Sequence, residues 1–205
     1  MFEVYENESF ALTSRSIRKA ILQKVTLVEI SESVPILYPG QFQEYLYFIK
    51  KGVVRCYYKA FEDEWTNWFA SEGNAVFSIQ SFLNDKPSPE YIETCTPVTL
   101  YRISKKDYHK LLKDFPELYQ LAFDFLRGYL LEAEQRMHSL HMLNALQRYE
   151  QFIEEHKQIA NRVQMKHIAS YLGITPTHFS RIRKQLANNR LFFDQKLKES
   201  TYVEK

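Results

Sequence analysis

The chain has 205 residues, of which 45% are hydrophobic and 15% aromatic, and it carries 27 lysines and arginines against 25 aspartates and glutamates. This composition excludes a disordered or fibrous chain and allows a substantial core in one or two domains. No stretch reaches the roughly 18 apolar residues of a membrane span, and the first residues lack the features of a signal peptide, so we expect a cytoplasmic protein without a membrane partner.

The first half of the chain is predicted to be mostly β-structure after one short helix from Ser9 to Gln23. From Val25 to Ile103, runs such as VTLVEI and WTNWFA are rich in β-branched and aromatic residues, and turn signals such as Pro39-Gly40 separate them. This spacing suits a small sandwich or barrel. Cys56 and Cys95 lie far apart in apolar segments, and we expect reduced thiols rather than a disulfide.

A change to helical structure is predicted at Ser104. The segment from Ser104 to Asp107 has the form of a capping box, and Tyr108, Leu111 and Leu112 follow at helical spacing. The rest of the chain is therefore expected to be largely helical.

The long segment that begins at Pro116 carries a heptad pattern of apolar and small residues. Apart from Gly128 nothing in it breaks a helix, and charged residues occupy its other faces. Such a stripe can pack on its own domain or on a second helix, and we favour contact between two helices of a homodimer, with Asn144 helping to fix their register. The stripe consists of Phe123, Leu126, Leu130, Ala133, Met137 and Leu140.

Charge is unevenly distributed along the chain. The segment from His156 to Phe193 contains no Asp or Glu, although it contains seven lysines and arginines. The rest of the chain then has 20 basic residues against 25 acidic ones. This segregation favours a polyanionic partner over a solvated basic surface with no partner. The seven residues are Lys157, Arg162, Lys166, Arg181, Arg183, Lys184 and Arg190.

Within the basic segment, residues 162–186 contain two helical patterns joined by a glycine-centred turn. In the first helix we expect Ile168 and Leu172 to face the core, and Ala169 to be small enough for a second helix to cross over it. Gly173 is expected to adopt the left-handed conformation that ends this helix.

The second helix is predicted to begin after Thr175, a favoured N-cap residue, with Pro176 in its first turn. Its polar side can enter a major groove, where Arg181 would present two donors to guanine. The predicted buried side consists of Ile174, Phe179, Ile182 and Leu186. The predicted DNA-binding residues are Thr175, Thr177, His178, Ser180, Arg181 and Lys184, of which Thr175, Ser180 and Lys184 would mainly hold the backbone.

The segment YLGITPTHFSRIRKQL, from Tyr171 to Leu186, resembles the helix-turn-helix of Crp/Fnr-family regulators, in which a Ser-Arg pair commonly occupies the middle of the recognition helix. Ser180 and Arg181 match that pair. The resemblance implies an α+β fold with a cyclic-nucleotide-binding-like β-roll (1–115), a dimerisation helix (116–143) and a winged helix-turn-helix domain (144–205), with the wing around Leu191 to Phe193. It also implies a homodimeric transcription regulator on a palindromic site in double-stranded DNA, with RNA polymerase as the further partner that activation would require.

The residues by which the cyclic AMP-binding members of that family hold their ligand are missing. The stretch from Ser71 to Phe82 lacks their Gly-Glu pair, and the position of their arginine falls near Ser88. With no cation to meet the phosphate, cyclic AMP is not expected as the effector.

Two isolated cysteines cannot supply four thiolates for an iron-sulfur cluster, and His138 and His141 are weak evidence for a metal. No cofactor is predicted, and the effector, including haem or a metal, is left open.

The aromatic residues of the β-half have two interpretations. Packing of the roll core is favoured, and the lining of a site for an apolar or aromatic effector is the alternative. The aromatic residues are Tyr45, Tyr47, Phe48, Tyr57, Tyr58, Trp65, Trp68, Phe69 and Phe77.

No nucleophile with its base, metal-ligand spacing or phosphate-binding glycine loop indicates catalysis, so we expect a regulator rather than an enzyme.

Overall fold

The computed structural model describes residues 14–186 and residue 188 of the chain. An antiparallel β-roll flanked by helices is followed by a long helix and a cluster of short helices. The strands are β1 (Thr26–Ile30), β2 (Pro35–Leu37), β3 (Tyr45–Lys51), β4 (Val54–Ala60), β5 (Asp63–Ala70), β6 (Ala75–Val76), β7 (Tyr91–Thr94) and β8 (Val98–Ser104), with a π-helical turn at Ile79–Leu83. The helices are α1 (Arg15–Leu22), α2 (Lys105–Asp114), α3 (Leu118–Met142), α4 (Ala145–Glu155), α5 (Lys157–Ala160), α6 (Met165–Tyr171) and α7, which is described over residues 176–186.

The eight strands form two four-stranded antiparallel sheets, ordered β1-β8-β3-β6 and β2-β7-β4-β5. Ile49 lies opposite Leu100 in the first sheet, and Cys56 lies opposite Ile92 in the second. Because side chains alternate between the faces of a strand, these pairs bring apolar groups to the inner faces, where the two sheets pack together. This confirms the predicted sandwich. The core between the sheets consists of Leu37, Ile49, Val54, Cys56, Ala70, Val76, Ile92, Val98 and Leu100.

Side-chain caps fix the starts of the helices that flank the roll. Ser104 Oγ accepts a hydrogen bond from the amide of Asp107 at 3.0 Å, which confirms the predicted cap of α2. At α1, Ser14 has an extended backbone and its side chain accepts from the amide of Ile17. A helix continuous from Ser9 is therefore wrong, because α1 begins at Arg15; residues 9–13 lie outside the described part of the chain.

The long helix α3 begins at Leu118, two residues after the predicted start, and ends at Met142. Asn144 does not continue the heptad stripe. Its side chain accepts from the amide of Gln147 at 3.0 Å, and the Gln147 side chain accepts from the amide of Asn144 at 3.0 Å. This capping box starts α4, so the prediction that Asn144 fixes the register of a helix pair is wrong.

A second core joins the C-terminal helices to the roll. Phe69 of β5 places its ring 5.4 Å from the ring of Tyr171 in α6 and 6.1 Å from that of Phe152 in α4. The two parts of the chain are thus packed on one another by buried aromatic side chains. This core consists of Val53, Phe69, Cys95, Phe152, Ile159, Val163, Ile168, Ala169, Tyr171, Leu172 and Phe179.

Candidate nucleic-acid interface

Helices α6 and α7 form a helix-turn-helix with the turn predicted from the sequence. Gly173 has φ +66°, and the amide of Ile174 donates to the carbonyl of Ala169 at 3.0 Å. Ala169 is fully buried, and Ile168 and Leu172 are buried beside it. The left-handed residue closes the end of α6 and reverses the chain, and Ala169 lies in the same buried core as Phe179 of α7.

The start of α7 is fixed by Thr175. Its Oγ1 accepts from the amide of His178 at 3.2 Å, and its carbonyl accepts from the amide of Phe179 at 2.9 Å. Pro176 is the first residue of the helix, where its missing amide hydrogen costs nothing. The predicted N-cap is confirmed, and it fixes which side chains α7 directs outward.

Helix α7 has one buried side and one exposed side. Phe179, Ile182 and Leu186 are buried, and the Phe179 ring meets that of Tyr149 edge-on at 4.9 Å. Ile174, which precedes the helix, is partly buried. The predicted buried side is therefore confirmed, and a rigid aromatic contact holds the helix against α4.

All six predicted DNA-contacting residues are exposed. Thr177, Arg181 and Lys184 follow at four- and three-residue steps, so they lie on one side of the helix. The hydroxyl of Ser180 donates to the carbonyl of Pro176 at 3.0 Å and so points along its own helix. No ion pair among the described residues engages Arg181 or Lys184, and both side chains are exposed. The six are Thr175, Thr177, His178, Ser180, Arg181 and Lys184.

One member of the basic segment faces inward. Arg162 donates from both terminal nitrogens to Glu72 of the roll, at 2.7 and 2.8 Å. Glu72 also accepts from the amide of Gly52 at 2.8 Å. Arg162 is thus neutralised within the chain, and sequence reasoning missed this pair because its partners are 90 residues apart.

Ser170 and His167 complete the docking of α6 on the roll. Ser170 Oγ donates to the carbonyl of Glu64 and accepts from the amide of Thr66 at 2.8 Å. The His167 Nδ1 lies 4.0 Å from the Sγ of Cys95. Burial, with the positive charge of Arg55 nearby, lowers the pKa of His167 to about 4, so this side chain is neutral at pH 7.

The Glu72 pair predicts an acid-sensitive contact between the roll and the helices. Burial would raise the pKa of Glu72, but hydrogen bonds from Arg162 and Gly52 outweigh it and lower the pKa to about 2 from its ordinary 4.5. The pair therefore stabilises the fold above pH 4.5, and this contribution is lost as the pH falls toward 2. We expect Glu72→Gln to lower the free energy of unfolding by about 1 kcal/mol at pH 7, since solvent partly screens the pair.

Urea titrations at several pH values check this expectation. The difference in unfolding free energy between wild type and Glu72→Gln should shrink between pH 4.5 and 2. Glu62→Gln, at an exposed position, is the matched control and should leave the profile unchanged. A Glu72→Gln difference that stays constant over this range would show that the charge of Glu72 contributes nothing.

Ser88, near which the resemblance places the arginine of a cyclic AMP site, belongs to a buried polar cluster. Ser88 Oγ lies 3.2 Å from Ser78 Oγ and donates to the carbonyl of Glu90 at 2.9 Å, while the amide of Ser78 donates to the Gln43 side chain at 2.6 Å. The buried carboxylate of Glu90 accepts from the thiol of Cys56 at 2.6 Å.

The predicted dimer stripe is exposed on α3. Phe123, Leu130 and Met137 expose 56, 66 and 58% of their surface. Leu140 is less exposed, and a Cβ placed on Gly173 would lie 3.4 Å from its Cδ2, so this end of α3 also meets the turn of the helix-turn-helix. The stripe, which also contains Leu126 and Ala133, is thus an apolar surface without a covering element among the described residues.

No metal site is formed by the described residues, among which no group of three or more His, Cys, Asp or Glu could hold an ion. His141 Nδ1 instead donates to the carbonyl of Met137 at 2.7 Å.

None of the helices in the described part is long and apolar enough to cross a membrane. The expected wing at Leu191 to Phe193 lies outside the described residues, and so does Arg190 of the basic segment.

The β-roll and the helices that follow it resemble those of known proteins. Residues 27–115 match the family model described as the cyclic nucleotide-binding domain. No curated protein matches the chain in sequence. Among solved structures, FixK2 from Bradyrhizobium japonicum is similar over 80% of this chain and 85% of its own, with TM-score 0.72 and 19% identity.

Two further structures share the same arrangement. The c-di-GMP responsive global regulator CLP of Xanthomonas campestris is similar over 87% of this chain and 94% of its own, with TM-score 0.71 and 17% identity. A transcriptional regulator of the crp/fnr family from Eubacterium rectale covers 88% of this chain and 86% of its own, with TM-score 0.70 and 14% identity. Residues 27–115 therefore match the cyclic nucleotide-binding domain model, and the chain shares the fold of these three solved structures.

Proposed function

We propose that this protein is a transcription regulator that binds double-stranded DNA in a sequence-specific manner through the helix from Thr175 to Leu186. One observation carries the proposal: the second helix of a correctly capped helix-turn-helix buries one side and exposes Thr177, Arg181 and Lys184 on the other. A helix of this kind fits the major groove, and no acidic residue occurs between His156 and Phe193 to repel phosphates.

The likeness to solved structures supports a regulator rather than an enzyme. Two of the similar proteins are named as a global regulator and a transcriptional regulator of the crp/fnr family. We infer that this chain acts in the same way, as a homodimer joined by the exposed stripe of α3. Two copies of α7 would then lie about 34 Å apart and contact the two halves of a palindromic operator.

The exposed residues of α7 would have different roles in DNA binding. Arg181 would read a guanine through its two terminal nitrogens, and Thr177 and His178 in the first turn would reach base edges or a phosphate. Lys184 and the hydroxyl of Thr175 would hold the DNA backbone. Ser180 donates its hydroxyl proton within the helix, so in this conformation we expect it to accept a hydrogen bond from a base rather than to donate one to a phosphate.

Selection of bound sequences from random DNA tests the proposal, and the selected site then serves in titrations at several salt concentrations. We expect Arg181→Ala to cost about 1–3 kcal/mol on the selected site and to relax the preference at one base position. Lys184→Ala is the matched control, because loss of a phosphate contact weakens binding to all sequences alike and lowers the salt slope by about 1. Unchanged affinity and preference in Arg181→Ala would show that this face of α7 does not read DNA.

The effector of such a regulator is not expected to be cyclic AMP. The resemblance places the arginine of a cyclic AMP site near Ser88, a serine that bonds within the chain to Ser78 and to the carbonyl of Glu90. The same titrations in the presence of cyclic AMP should therefore give an unchanged affinity for the selected DNA. RNA polymerase is the further partner if the protein activates transcription.

A further inference from the structure

The segment from His156 to Phe193, which contains no Asp or Glu, contains three histidines with different surroundings. Burial lowers the pKa of His167 to about 4, and it lowers the pKa of the half-buried His156 below its ordinary 6.5. Both side chains are therefore neutral at pH 7. The third histidine, His178, lies in the first turn of α7 and is exposed, so its ring can meet a partner outside the chain.

Helical spacing places His178 at the edge of the exposed side of α7. Arg181 and Ile182 follow it by three and four residues, so they are its neighbours on the helix surface. Arg181 belongs to the exposed side that would enter the major groove, whereas Ile182 is 4% exposed and belongs to the buried side. His178 would therefore lie beside the wall of the groove, which consists of sugar and phosphate rather than of base edges.

The chain itself leaves the imidazole of His178 without a partner. Its backbone amide donates to Thr175 Oγ1 at 3.2 Å, but no hydrogen bond or ion pair in the described part of the chain engages its ring. This holds for every charged or titratable side chain of α7 and of the elements around it. They are Arg136, His138 and His141 at the end of α3, Arg148, Tyr149, Glu150, Glu154, Glu155 and His156, Lys157, Lys166, His167 and Tyr171 of α4 to α6, and Arg181, Arg183 and Lys184 of α7.

We propose that His178 binds a phosphate of the operator backbone as an imidazolium, so that each α7 takes up a proton from solvent when it binds DNA. The DNA affinity then rises as the pH falls. The inference rests on the proposed function and deepens it, because it assigns His178 to a phosphate rather than to a base and makes the pH a regulator of binding.

The physical reason is the charge that the proton adds. Histidine is the side chain that ordinarily changes its charge between about pH 5 and 8, and in the charged form both ring nitrogens are donors. A hydrogen bond from an imidazolium to a phosphate is charge-assisted and is stronger than one from the neutral ring. Because the segment around His178 contains no carboxylate, none within it competes with the phosphate for this cation.

Anisotropy titrations of the full-length protein on the selected operator test the proposal over this pH range. We expect the affinity of the wild type to rise at least about tenfold between about pH 8 and 5.5. The salt slope should also steepen by about 0.9 for each His178 that gains a charge, because one more phosphate is neutralised.

Two variants of His178 and one control separate its charge from other effects of pH. His178→Gln cannot take up a proton, so it should remove the rise in affinity at low pH. His178→Lys is charged throughout, so it should show the steeper salt slope at every pH. The control is His109→Gln, at an exposed position of α2, which should keep the wild-type pH profile. A His178→Gln protein with the wild-type pH profile would overturn the proposal, as would a loss of affinity that is equal at every pH.

A second measurement counts the protons directly. Calorimetric titrations with the operator, in buffers of different ionisation enthalpy, give the number of protons taken up on binding. We expect uptake near pH 6.5 by the wild type and by His109→Gln, and none by His178→Gln and His178→Lys. Equal uptake by all four proteins would place the proton elsewhere and contradict the assignment.

Failure of this inference can be told apart from failure of the proposed function. If the protein binds the selected DNA equally tightly at every pH, only the role of His178 is wrong. If no sequence is selected from random DNA at low or at high pH, the protein is not a sequence-specific DNA-binding regulator.

Discussion

Leu130→Glu is expected to convert the protein into a monomer and to weaken its binding to the operator by about a hundredfold or more. Leu130 is the most exposed of the large side chains of the stripe on α3, with 66% of its surface accessible. In a homodimer the substitution would place two carboxylates face to face in an apolar seam, where neither finds a partner. A monomer would hold one half-site only, so it would lose the gain in affinity that comes from linking two recognition helices.

Analytical ultracentrifugation gives the state of association, and anisotropy titration gives the DNA affinity. The matched control is Leu131→Glu, which makes the same change at a neighbouring position that is 57% exposed and outside the stripe. It should leave both measurements unchanged. A Leu130→Glu protein that remains dimeric would show that another surface joins the two copies.

Phe152→Ala is expected to lower the free energy of unfolding by about 3–5 kcal/mol. Phe152 is 2% exposed and lies in the core that joins the roll to the C-terminal helices. Its ring lies 5.3 Å from that of Tyr171 and 6.1 Å from that of Phe69. Removal of the ring leaves a cavity between the two parts of the chain that rigid neighbours cannot fill.

Urea denaturation followed by circular dichroism measures this loss. Phe61→Ala is the control, since the Phe61 side chain is 99% exposed and its removal should change the stability by less than about 0.5 kcal/mol. If Phe152→Ala proves as stable as Phe61→Ala, the packing between the roll and the helices contributes little to the fold.

The shared core has a consequence for regulation. Phe69, Arg162 and Ser170 fasten the helix-turn-helix to the roll by apolar contact, an ion pair and hydrogen bonds. We therefore expect a displacement of β5 to move α6.

Several parts of this protein could be predicted from local sequence. Ser104 and Thr175 cap helices because their hydroxyls lie next to the amides they satisfy, and Gly173 ends α6 because glycine accepts a left-handed backbone. Heptad spacing likewise indicated the exposed stripe of α3. The same spacing misplaced Asn144, because the pattern of residue types continues beyond the point where the helix ends and a capping box begins.

The sequence by itself determined the helix-turn-helix and the face of α7 that would read DNA, since both depend on residues within a few positions of one another. Only the tertiary structure decided that Arg162 pairs with Glu72, that Ser170 binds β5, and that Ser78 and Ser88 meet in a buried polar cluster. The two docking contacts join residues 90 or more positions apart in the chain. Such pairs leave no periodic signal, because they depend on where the packed core brings two surfaces together.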